Sequence, residues 1–233
     1  MSAARDQYKK HAAEAAIEFI RSGMVVGLGH GSTVHFVLDI LAAKLKSGEI
    51  KDILGIPCSM QTEAEASRLG IPLGDLNEHD SIDLTIDGAD EVDPLLNLIK
   101  GGGGALLREK IVAQASRREI IVVDETKLSD TLGTNHLLPI EVSRFGWKHQ
   151  VNFIRTLGGS AELRLDAKTQ PALSDQGNYL LDCQFKPIAD PAALAQALEA
   201  RSGILEHGLF LGLATDVVVA GPGGLQHLKA PRS

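Results

Sequence analysis

Three short segments carry residue types that bind anions or move protons. The first, Gly27-Leu28-Gly29-His30-Gly31-Ser32-Thr33, joins an apolar run to a helical pattern. Glycines at such a junction let backbone N–H groups approach an anion, and the start of a helix adds a favourable dipole. Gly31, Ser32 and Thr33 are therefore candidate phosphate ligands, and the two hydroxyl groups are also expected to cap the helix. A plain tight turn is the alternative interpretation of this segment.

Two nucleotide-binding motifs do not fit the first segment. The dinucleotide pattern G-x-G-x-x-G requires a glycine where Ser32 stands. It also requires an acidic residue near the end of the second strand, where the sequence reads Pro57-Cys58-Ser59. The phosphate-loop pattern G-x-x-x-x-G-K-[ST] does not occur in the chain. The segment therefore predicts a phosphate-binding turn rather than a nucleotide fold.

The second segment is Asp87-Gly88-Ala89-Asp90-Glu91, directly after the apolar run Leu84-Thr85-Ile86. In open α/β sheets, ligands bind where parallel strands end. Asp87 and Asp90 are candidates for proton transfer or for holding hydroxyl groups, and a solvated loop is the alternative. A divalent metal would need further ligands, for which His79 is the only close candidate. We therefore predict neither a metal nor another cofactor.

The third segment runs from Lys100 through four glycines, Gly101, Gly102, Gly103 and Gly104, to Arg108-Glu109-Lys110. Successive glycines cost conformational entropy in a folded loop, so they are expected where backbone must approach a ligand closely. Lys100 enters this loop, and Glu109 lies in the opening turns of the next helix. Together they are candidates for an electrophile and a general base. The alternatives are a flexible linker for the glycines and a solvated helix face for residues 108–110.

Periodicity predicts the elements that position these segments. Helix and strand patterns alternate in the first half, which predicts an α/β fold with a mostly parallel, Rossmann-like sheet and helices on both faces. The middle predicts a smaller inserted α+β domain. The predicted domains are residues 1–132 with 206–233, and residues 133–205. Helices are predicted at 12–20, 33–45, 62–69, 151–157 and 191–200, and strands at 24–28, 53–56, 71–73, 84–86, 120–123, 161–165, 179–183 and within 208–221.

Composition restricts the class of protein. The 233 residues carry a formal net charge of −7, which argues against a general nucleic-acid partner. No apolar stretch approaches the length of a membrane span, so no membrane partner is expected. The charged start of the chain lacks the apolar core of a signal peptide, which predicts a cytoplasmic location. Cys58 and Cys183 form no CxxC pair and are expected to be ordinary thiols in a reducing compartment.

In order and spacing, the three segments resemble the signature of type A ribose-5-phosphate isomerases. The aspartate pair together with the lysine and glycine run is the specific part of this likeness. The similarity extends from about Lys9 to Gly221 and includes Asp124-Glu125-Thr126-Lys127, Leu138-Pro139-Ile140-Glu141-Val142 and Asp175-Gln176-Gly177-Asn178. The resemblance implies interconversion of ribose 5-phosphate and ribulose 5-phosphate through an enediolate. It also implies a sugar-phosphate partner, no cofactor and a homodimer or homotetramer.

The resemblance also implies a role for each matching residue. Glu109 would move the proton between C1 and C2, and Lys100 would stabilise the enediolate. Asp87 and Asp90 would hold sugar hydroxyl groups and assist ring opening. The remaining substrate contacts would come from Gly31, Ser32, Thr33, Gly101, Gly102, Gly103, Lys127 and Lys9.

Two positions depart from the family pattern, and two other functions stay open. His30 stands where a threonine or serine is usual, and Cys58 where a threonine often precedes the serine. His30 is expected either to help bind phosphate near neutral pH or to pack without a binding role. A sugar-phosphate sensor of related fold would be expected to carry a helix-turn-helix. An acyl-CoA transferase would also use a carboxylate, but Lys100 and the paired aspartates favour the isomerase.

Overall fold

A computed structural model describes residues 2–185 and 187–230 of the chain. The helices are α1 (Ser2–Ile17), α2 (Ser32–Ser47), α3 (Met60–Leu69), α4 (Leu106–Ala115), α5 (Trp147–Thr156) and α6 (Pro191–Glu199). The strands are β1 (Val25–Leu28), β2 (Leu54–Pro57), β3 (Leu84–Asp87), β4 (Glu91–Val92), β5 (Leu98–Ile99), β6 (Glu119–Asp124), β7 (Leu138–Val142), β8 (Ser160–Leu163), β9 (Tyr179–Gln184), β10 (Ile204–His207), β11 (Leu209–Phe210), β12 (Asp216–Gly221) and β13 (Gly224–Lys229).

These elements belong to two compact units. The described residues of the first unit fall within Met1–Ala89, Arg108–Lys127 and Gly212–Ser233. Those of the second fall within Asp90–Leu107 and Leu128–Leu211. The predicted domain boundaries, 1–132 with 206–233 and 133–205, stay a prediction.

The first unit contains a sheet that is parallel except at one edge. As described, its strand order is β13-β12-β6-β3-β1-β2. Strands β2, β1, β3, β6 and β12 run parallel, and β13 pairs with β12 in the antiparallel sense. This confirms the predicted α/β class with a mostly parallel sheet. The carboxyl ends of β1 and β3 are adjacent, because Leu28 pairs with Ile86.

Alternation along β1 explains how helices cover both faces of this sheet. Val26 and Leu28 belong to the large apolar core that includes α1 and α2. Gly27 points to the other face, where a Cβ would lie 1.7 Å from Thr85 Oγ1 and 2.9 Å from Val112 Cγ1. The missing side chain therefore lets α4 pack closely. Because Val112 follows Glu109 by one turn, this packing places Glu109 near the strand ends.

The second unit is mainly antiparallel. A four-stranded sheet has the order β10-β7-β9-β8, and a three-stranded sheet has the order β11-β5-β4, among the described residues. Ile140 and Leu181 of the larger sheet share a buried core with Ile154 of α5 and Leu198 of α6. The smaller sheet carries Leu98-Ile99 directly before Lys100. The predicted smaller α+β domain is confirmed, and its sheet proves to be antiparallel.

Most predicted elements agree with the structure in type, although α1 (Ser2–Ile17) begins ten residues before the helix predicted at 12–20, and two local predictions are wrong. Asp190 caps α6, because its side chain accepts a hydrogen bond from Ala193 N at 3.0 Å. The strand predicted at 71–73 is reduced to one bridge between Leu73 and Gly55. The prediction that Ser32 and Thr33 cap α2 is also wrong. Gly31 occupies the cap position, with φ of 108° and no side-chain cap, so the two hydroxyl residues begin the helix itself.

Two further observations concern the cysteines and the question of a membrane-spanning helix. Cys58 and Cys183 are both buried free thiols, as expected for ordinary cysteines. Burial raises the pKa of the Cys183 thiol far above its ordinary value, with the Asp182 carboxylate adding to the effect. Among the described helices, none combines the length and apolar character needed to cross a membrane.

Candidate active site

In the first unit, the turn after β1 is held against the end of β3. Gly29 N donates to Ile86 O at 3.0 Å, and His30 N donates to Asp87 Oδ1 at 2.8 Å. Gly88 N donates to the same carboxylate oxygen at 2.7 Å. Asp87 is only 1% exposed, so the solvated-loop interpretation is wrong for this residue. The first and second sequence segments therefore meet through backbone donors that converge on Asp87.

A chain of hydrogen bonds fixes the ring of His30. Thr62 Oγ1 donates to Gly29 O at 2.8 Å, so its hydrogen is used there. Ser59 Oγ donates to Thr62 Oγ1 at 2.8 Å and lies 2.9 Å from His30 Nδ1. Since the hydrogen of Ser59 is also used, its oxygen accepts from His30, and neutral His30 carries its proton on Nδ1. The ring is thus hydrogen-bonded to Ser59, and the prediction that it binds phosphate stays a prediction.

Glu109 and Asp87 come together inside the first unit. Glu109, in the first turn of α4, is 4% exposed, which contradicts a solvated helix face. Ligand-type atoms of Glu109, Asp87 and Cys58 lie within 4.8 Å of one another, and all three residues are buried. Such a group could hold a metal ion, whereas His79, the candidate ligand from the sequence, is not part of it. The expectation of a metal-free reaction stays a prediction.

The start of α2 presents the candidate phosphate ligands. Ser32 is exposed, and Gly31, Ser32 and His30 line a cavity together with Asp6. Lys9 lies on α1 with its Nζ 3.7 Å from Asp6 Oδ1, so a cation and its acidic partner lie near this cavity. N–H groups at the start of a helix favour an anion.

For two other predicted phosphate ligands, Thr33 and Lys127, the structure shows less contact with this cavity. Thr33 is 9% exposed and faces the core more than Ser32 does. Lys127 ends a short 3₁₀ turn, Glu125–Lys127, after β6. Within the described residues, no hydrogen bond or ion pair joins Lys127 to Ser32 or Thr33. Their roles as ligands stay predictions.

In the second unit, Lys100 is buried at 1% exposure. Its backbone N–H donates to Gly208 O at 2.9 Å, and its Nζ lies 5.4 Å from the centroid of the Phe210 ring. A Cβ on Gly208 would lie 2.3 Å from Lys100 O, so the absent side chain lets the two chain segments touch. A buried lysine held by these contacts is suited to stabilising negative charge.

The glycine run after Lys100 forms an ordered turn rather than a linker. Gly104 N donates to Gly101 O at 2.9 Å, and both residues have positive φ, at 87° and 98°. Gly102 N donates to Asp90 Oδ2 at 2.7 Å, which joins the half-buried Asp90 to this turn. Gly102 and Gly103 are exposed. In this unit the structure thus brings Asp90 to the turn that begins at Lys100.

Sequence reasoning missed a pair of charged residues beside this turn. Arg164 donates to Gly101 O at 3.2 Å and to Gly102 O at 3.1 Å, and it is also paired with Asp182. Neither residue lies in a recognisable motif. The available signal was weak: Arg164 lies near the end of the strand predicted at 161–165, and Asp182 lies within the strand predicted at 179–183. Only the register between the two strands places both side chains on one face of the sheet.

Comparisons with known proteins agree on one family. The family described as ribose 5-phosphate isomerase A (phosphoriboisomerase A) matches residues 54–224. The chain is 56% identical over 220 residues to ribose-5-phosphate isomerase A of Chloroflexus aurantiacus, covering 94% of this chain and 92% of that protein. It is 51% identical over 226 residues to the same enzyme of Desulfatibacillum aliphaticivorans, covering 97% of this chain and 98% of that protein.

A solved structure supports the same relationship at the level of the fold. It is a D-ribose-5-phosphate isomerase in complex with phospho-erythronic acid. The TM-score is 0.95 at 40% identity, and the match covers 97% of this chain and 99% of that one.

Proposed function

The chain belongs to the ribose 5-phosphate isomerase A family and interconverts ribose 5-phosphate and ribulose 5-phosphate, and we propose that Glu109 is its catalytic base. The aldose–ketose change requires removal of a proton from C2 of the open sugar and its return at C1. A carboxylate performs both steps when it is held beside the two carbons. The observation that carries the proposal is the buried approach of Glu109 to Asp87 at the end of β3.

Burial gives Glu109 a defined task. At 4% exposure its carboxylate is largely removed from bulk water, which limits proton loss from the reacting centre. Its helix is fixed by the packing of Val112 against Gly27, so the carboxylate is held in place before substrate arrives. We assign to Asp87 the holding of sugar hydroxyl groups and assistance in ring opening, since its Oδ1 is fixed at the end of β3 by the N–H groups of His30 and Gly88.

The enediolate oxygen needs positive charge as it forms. We assign this to Lys100, whose ammonium group is buried and backed by Phe210. Asp90, held by Gly102 N, is assigned to a sugar hydroxyl group and to ring opening. The exposed backbone of Gly102 and Gly103, together with Gly101, is assigned to substrate contact. No step in this scheme transfers a hydride, so the reaction does not call for a nicotinamide cofactor.

The phosphate group anchors the unreacting end of the sugar. We assign it to Gly31, Ser32 and Thr33 at the start of α2, where backbone donors and the helix dipole favour an anion. Lys127 and Lys9 are assigned to further phosphate or substrate contacts. The phosphorylated sugar acid bound to the related isomerase supports a site for this class of ligand. Binding energy from the phosphate then orients C1 and C2 toward the base.

The family also suggests the setting of the enzyme. We propose that the chain works as a homodimer or homotetramer in the cytoplasm. Light scattering on the purified protein tests the first part: a mass near one chain at working concentration would contradict it.

Solvent exchange tests the proposed chemistry. The reaction is run to equilibrium in D₂O with ribose 5-phosphate, and deuterium at C1 of ribulose 5-phosphate is measured. A base that releases its proton to solvent in even a small fraction of turnovers labels the product progressively. We therefore expect deuterium to accumulate. Complete retention of hydrogen after many turnovers would indicate a hydride shift and overturn the assignment to Glu109.

A further inference from the structure

We propose that Arg164 and Asp182 form a positioning pair that fixes the glycine turn after Lys100 in its active shape. The proposal rests on the catalytic role assigned above to Lys100. Neither residue is expected to touch substrate. Their effect is on the backbone that follows Lys100 and on the amide that holds Asp90.

The guanidinium group of Arg164 divides its donors between two tasks. Its Nε lies 2.9 Å from Asp182 Oδ2, and its Nη2 donates to Asp182 Oδ1, which makes a two-point ion pair. Its Nη1 donates to Gly101 O at 3.2 Å and to Gly102 O at 3.1 Å. The carboxylate therefore orients the arginine, and the remaining nitrogen binds the turn.

Strand pairing places this arginine accurately. Arg164 directly follows β8, and its backbone N–H donates to Leu180 O of β9 at 2.9 Å. Asp182 lies on β9, two residues beyond Leu180, and pairs with Glu162 of β8. A Cβ on Gly104 would lie 3.1 Å from Leu180 Cδ1, so the turn lies directly against the same strand. The pair thus connects the turn to the four-stranded sheet of the unit.

The turn needs such a connection because glycine backbone is intrinsically mobile. Gly102 is bound from both sides: its N–H donates to Asp90 Oδ2, and its carbonyl oxygen accepts from Arg164. Gly101 O accepts from both Gly104 N and Arg164. Loss of the arginine therefore removes one of the two donors to Gly101 O and the arginine donor to Gly102 O, and it loosens the peptide that holds Asp90. Lys100, one residue before the turn, is expected to lose its placement with it.

Only arginine has the geometry for this task. Its planar group reaches the carboxylate and both carbonyl oxygens at once, whereas a lysine ammonium offers a single point of charge. Arg164→Lys keeps the charge and most of the length of the side chain. It removes the ability to bond to Asp182 and to the two glycine carbonyl groups at the same time. We expect kcat to fall roughly tenfold to a hundredfold, since misplacement by about 1 Å costs this much, while KM changes less than about threefold.

Asp182→Asn tests whether the aspartate acts through the arginine. The amide keeps the shape but accepts from the guanidinium group less strongly. We expect a smaller loss of kcat than for Arg164→Lys, and no further loss in the double variant, because both changes disturb one interaction. If the kcat losses of the two single variants multiply in the double variant, the two residues act independently and the proposed pair is wrong. Asp182→Asn also keeps the test valid should Arg164→Lys fail to fold.

Arg201→Lys is the matched control. Arg201 is another arginine of the second unit, bonded to Gln150 Oε1 at 3.2 Å and stacked over Phe153. We expect its kcat to stay within about twofold of wild type. An equal fall in kcat for Arg201→Lys and Arg164→Lys would show that any loosening of this unit has the same effect, and would overturn the proposal.

Amide exchange separates this proposal from the role given to Lys100. We expect the N–H groups of Gly102 and Gly104 to exchange at least about tenfold faster in Arg164→Lys, with the amides of β9 unchanged. If Lys100→Ala proves fully active, the catalytic role of the lysine fails. Faster exchange of the Gly102 and Gly104 amides in Arg164→Lys would still establish that the positioning pair fixes the turn. Unchanged exchange together with wild-type kcat in Arg164→Lys would overturn the positioning pair.

Discussion

Gly29 and Asp87 lie so close that no side chain fits between them. A Cβ built on Gly29 would lie 2.3 Å from Asp87 Oδ1 and 2.5 Å from Asp87 Cα. The same carboxylate accepts from His30 N at 2.8 Å. The turn that carries the proposed phosphate ligands therefore fits closely against the carboxylate beside Glu109, and a change at Gly29 is expected to disturb both.

Gly29→Ala tests this fit. The Asp87 Cα belongs to β3 and cannot move cheaply, so the turn must shift instead. We expect KM for ribose 5-phosphate to rise about tenfold, and the free energy of unfolding to fall by about 1–3 kcal/mol from overpacking. Steady-state kinetics and urea denaturation measure the two effects. Gly223→Ala is the control, since a Cβ there meets nothing within 4 Å; equal effects in both variants would contradict the account.

Lys100→Ala and Ser32→Ala are expected to damage different kinetic constants. Lys100 is proposed to stabilise charge that develops in the enediolate, so its loss should lower kcat by roughly a hundredfold. Ser32 is proposed to bind the phosphate, whose charge is the same in the ground and transition states, so its loss should mainly raise KM, by about tenfold, with a smaller effect on kcat.

Matched controls keep this comparison specific. Lys168→Ala removes an exposed lysine of the same unit as Lys100, and Ser47→Ala removes a serine from the other end of α2. Both should retain wild-type kinetics. If Lys100→Ala changes only KM, the lysine is a phosphate ligand and the division of roles is wrong.

Chelation tests the metal-free reaction. The group Cys58, Asp87 and Glu109 could hold a metal ion by its geometry. In the proposed scheme the carboxylate of Glu109 must be available as a base, so a resident metal is not required. We expect full activity after exhaustive dialysis against EDTA, with metal content followed by mass spectrometry. Loss of activity that a divalent ion restores would show that the group is a metal site.

Asp216 stabilises the first unit in a pH-dependent way. Burial opposes the ionisation of Asp216, but hydrogen bonds from Arg118, Thr215 and His227 outweigh burial, and the pKa of this carboxyl group lies below its ordinary value. The bonds from Arg118 and His227 measure 2.9 and 2.7 Å. A lowered folded-state pKa contributes stability that is present above the unfolded-state pKa and is lost as the pH falls through the folded-state pKa.

We therefore expect Asp216→Asn to lower the free energy of unfolding by roughly 1–2 kcal/mol at pH 7. The difference from wild type should shrink as the pH falls below about 4, the ordinary value for an aspartate. Urea denaturation across this range measures it. Asp80→Asn, at an exposed position of the same unit, should show little difference at any pH. A difference that grows on acidification would contradict the assignment.

The sequence was most informative where a local pattern of residue types is compatible with few structures. Four glycines after Lys100, and acidic residues directly after an apolar run, indicated ligand-binding loops at strand ends, and β3 does end at Asp87. The alternation of helix and strand patterns correctly predicted the mostly parallel sheet. Asp190 followed by proline gave the start of α6, because capping is a local property.

Contacts between distant segments could not be predicted in the same way. The approach of Cys58 to Asp87 and Glu109 depends on how α4 packs over Gly27, which no local pattern encodes. The binding of Arg164 to the glycine turn depends on the register of β8 against β9. The wrong capping prediction at Ser32 has a local cause, since a glycine with positive φ can hold the cap position.

The central claim is that Glu109 is the base, and the kcat of Glu109→Gln tests it most directly. The amide keeps the size of the side chain but cannot accept the proton. Glu63→Gln, which alters an exposed glutamate in the first turn of α3, is the matched control and should have wild-type kcat. With ribose 5-phosphate as substrate and an intact fold by circular dichroism, we predict that Glu109→Gln lowers kcat by roughly a hundredfold or more. A kcat near that of the wild type would contradict the account.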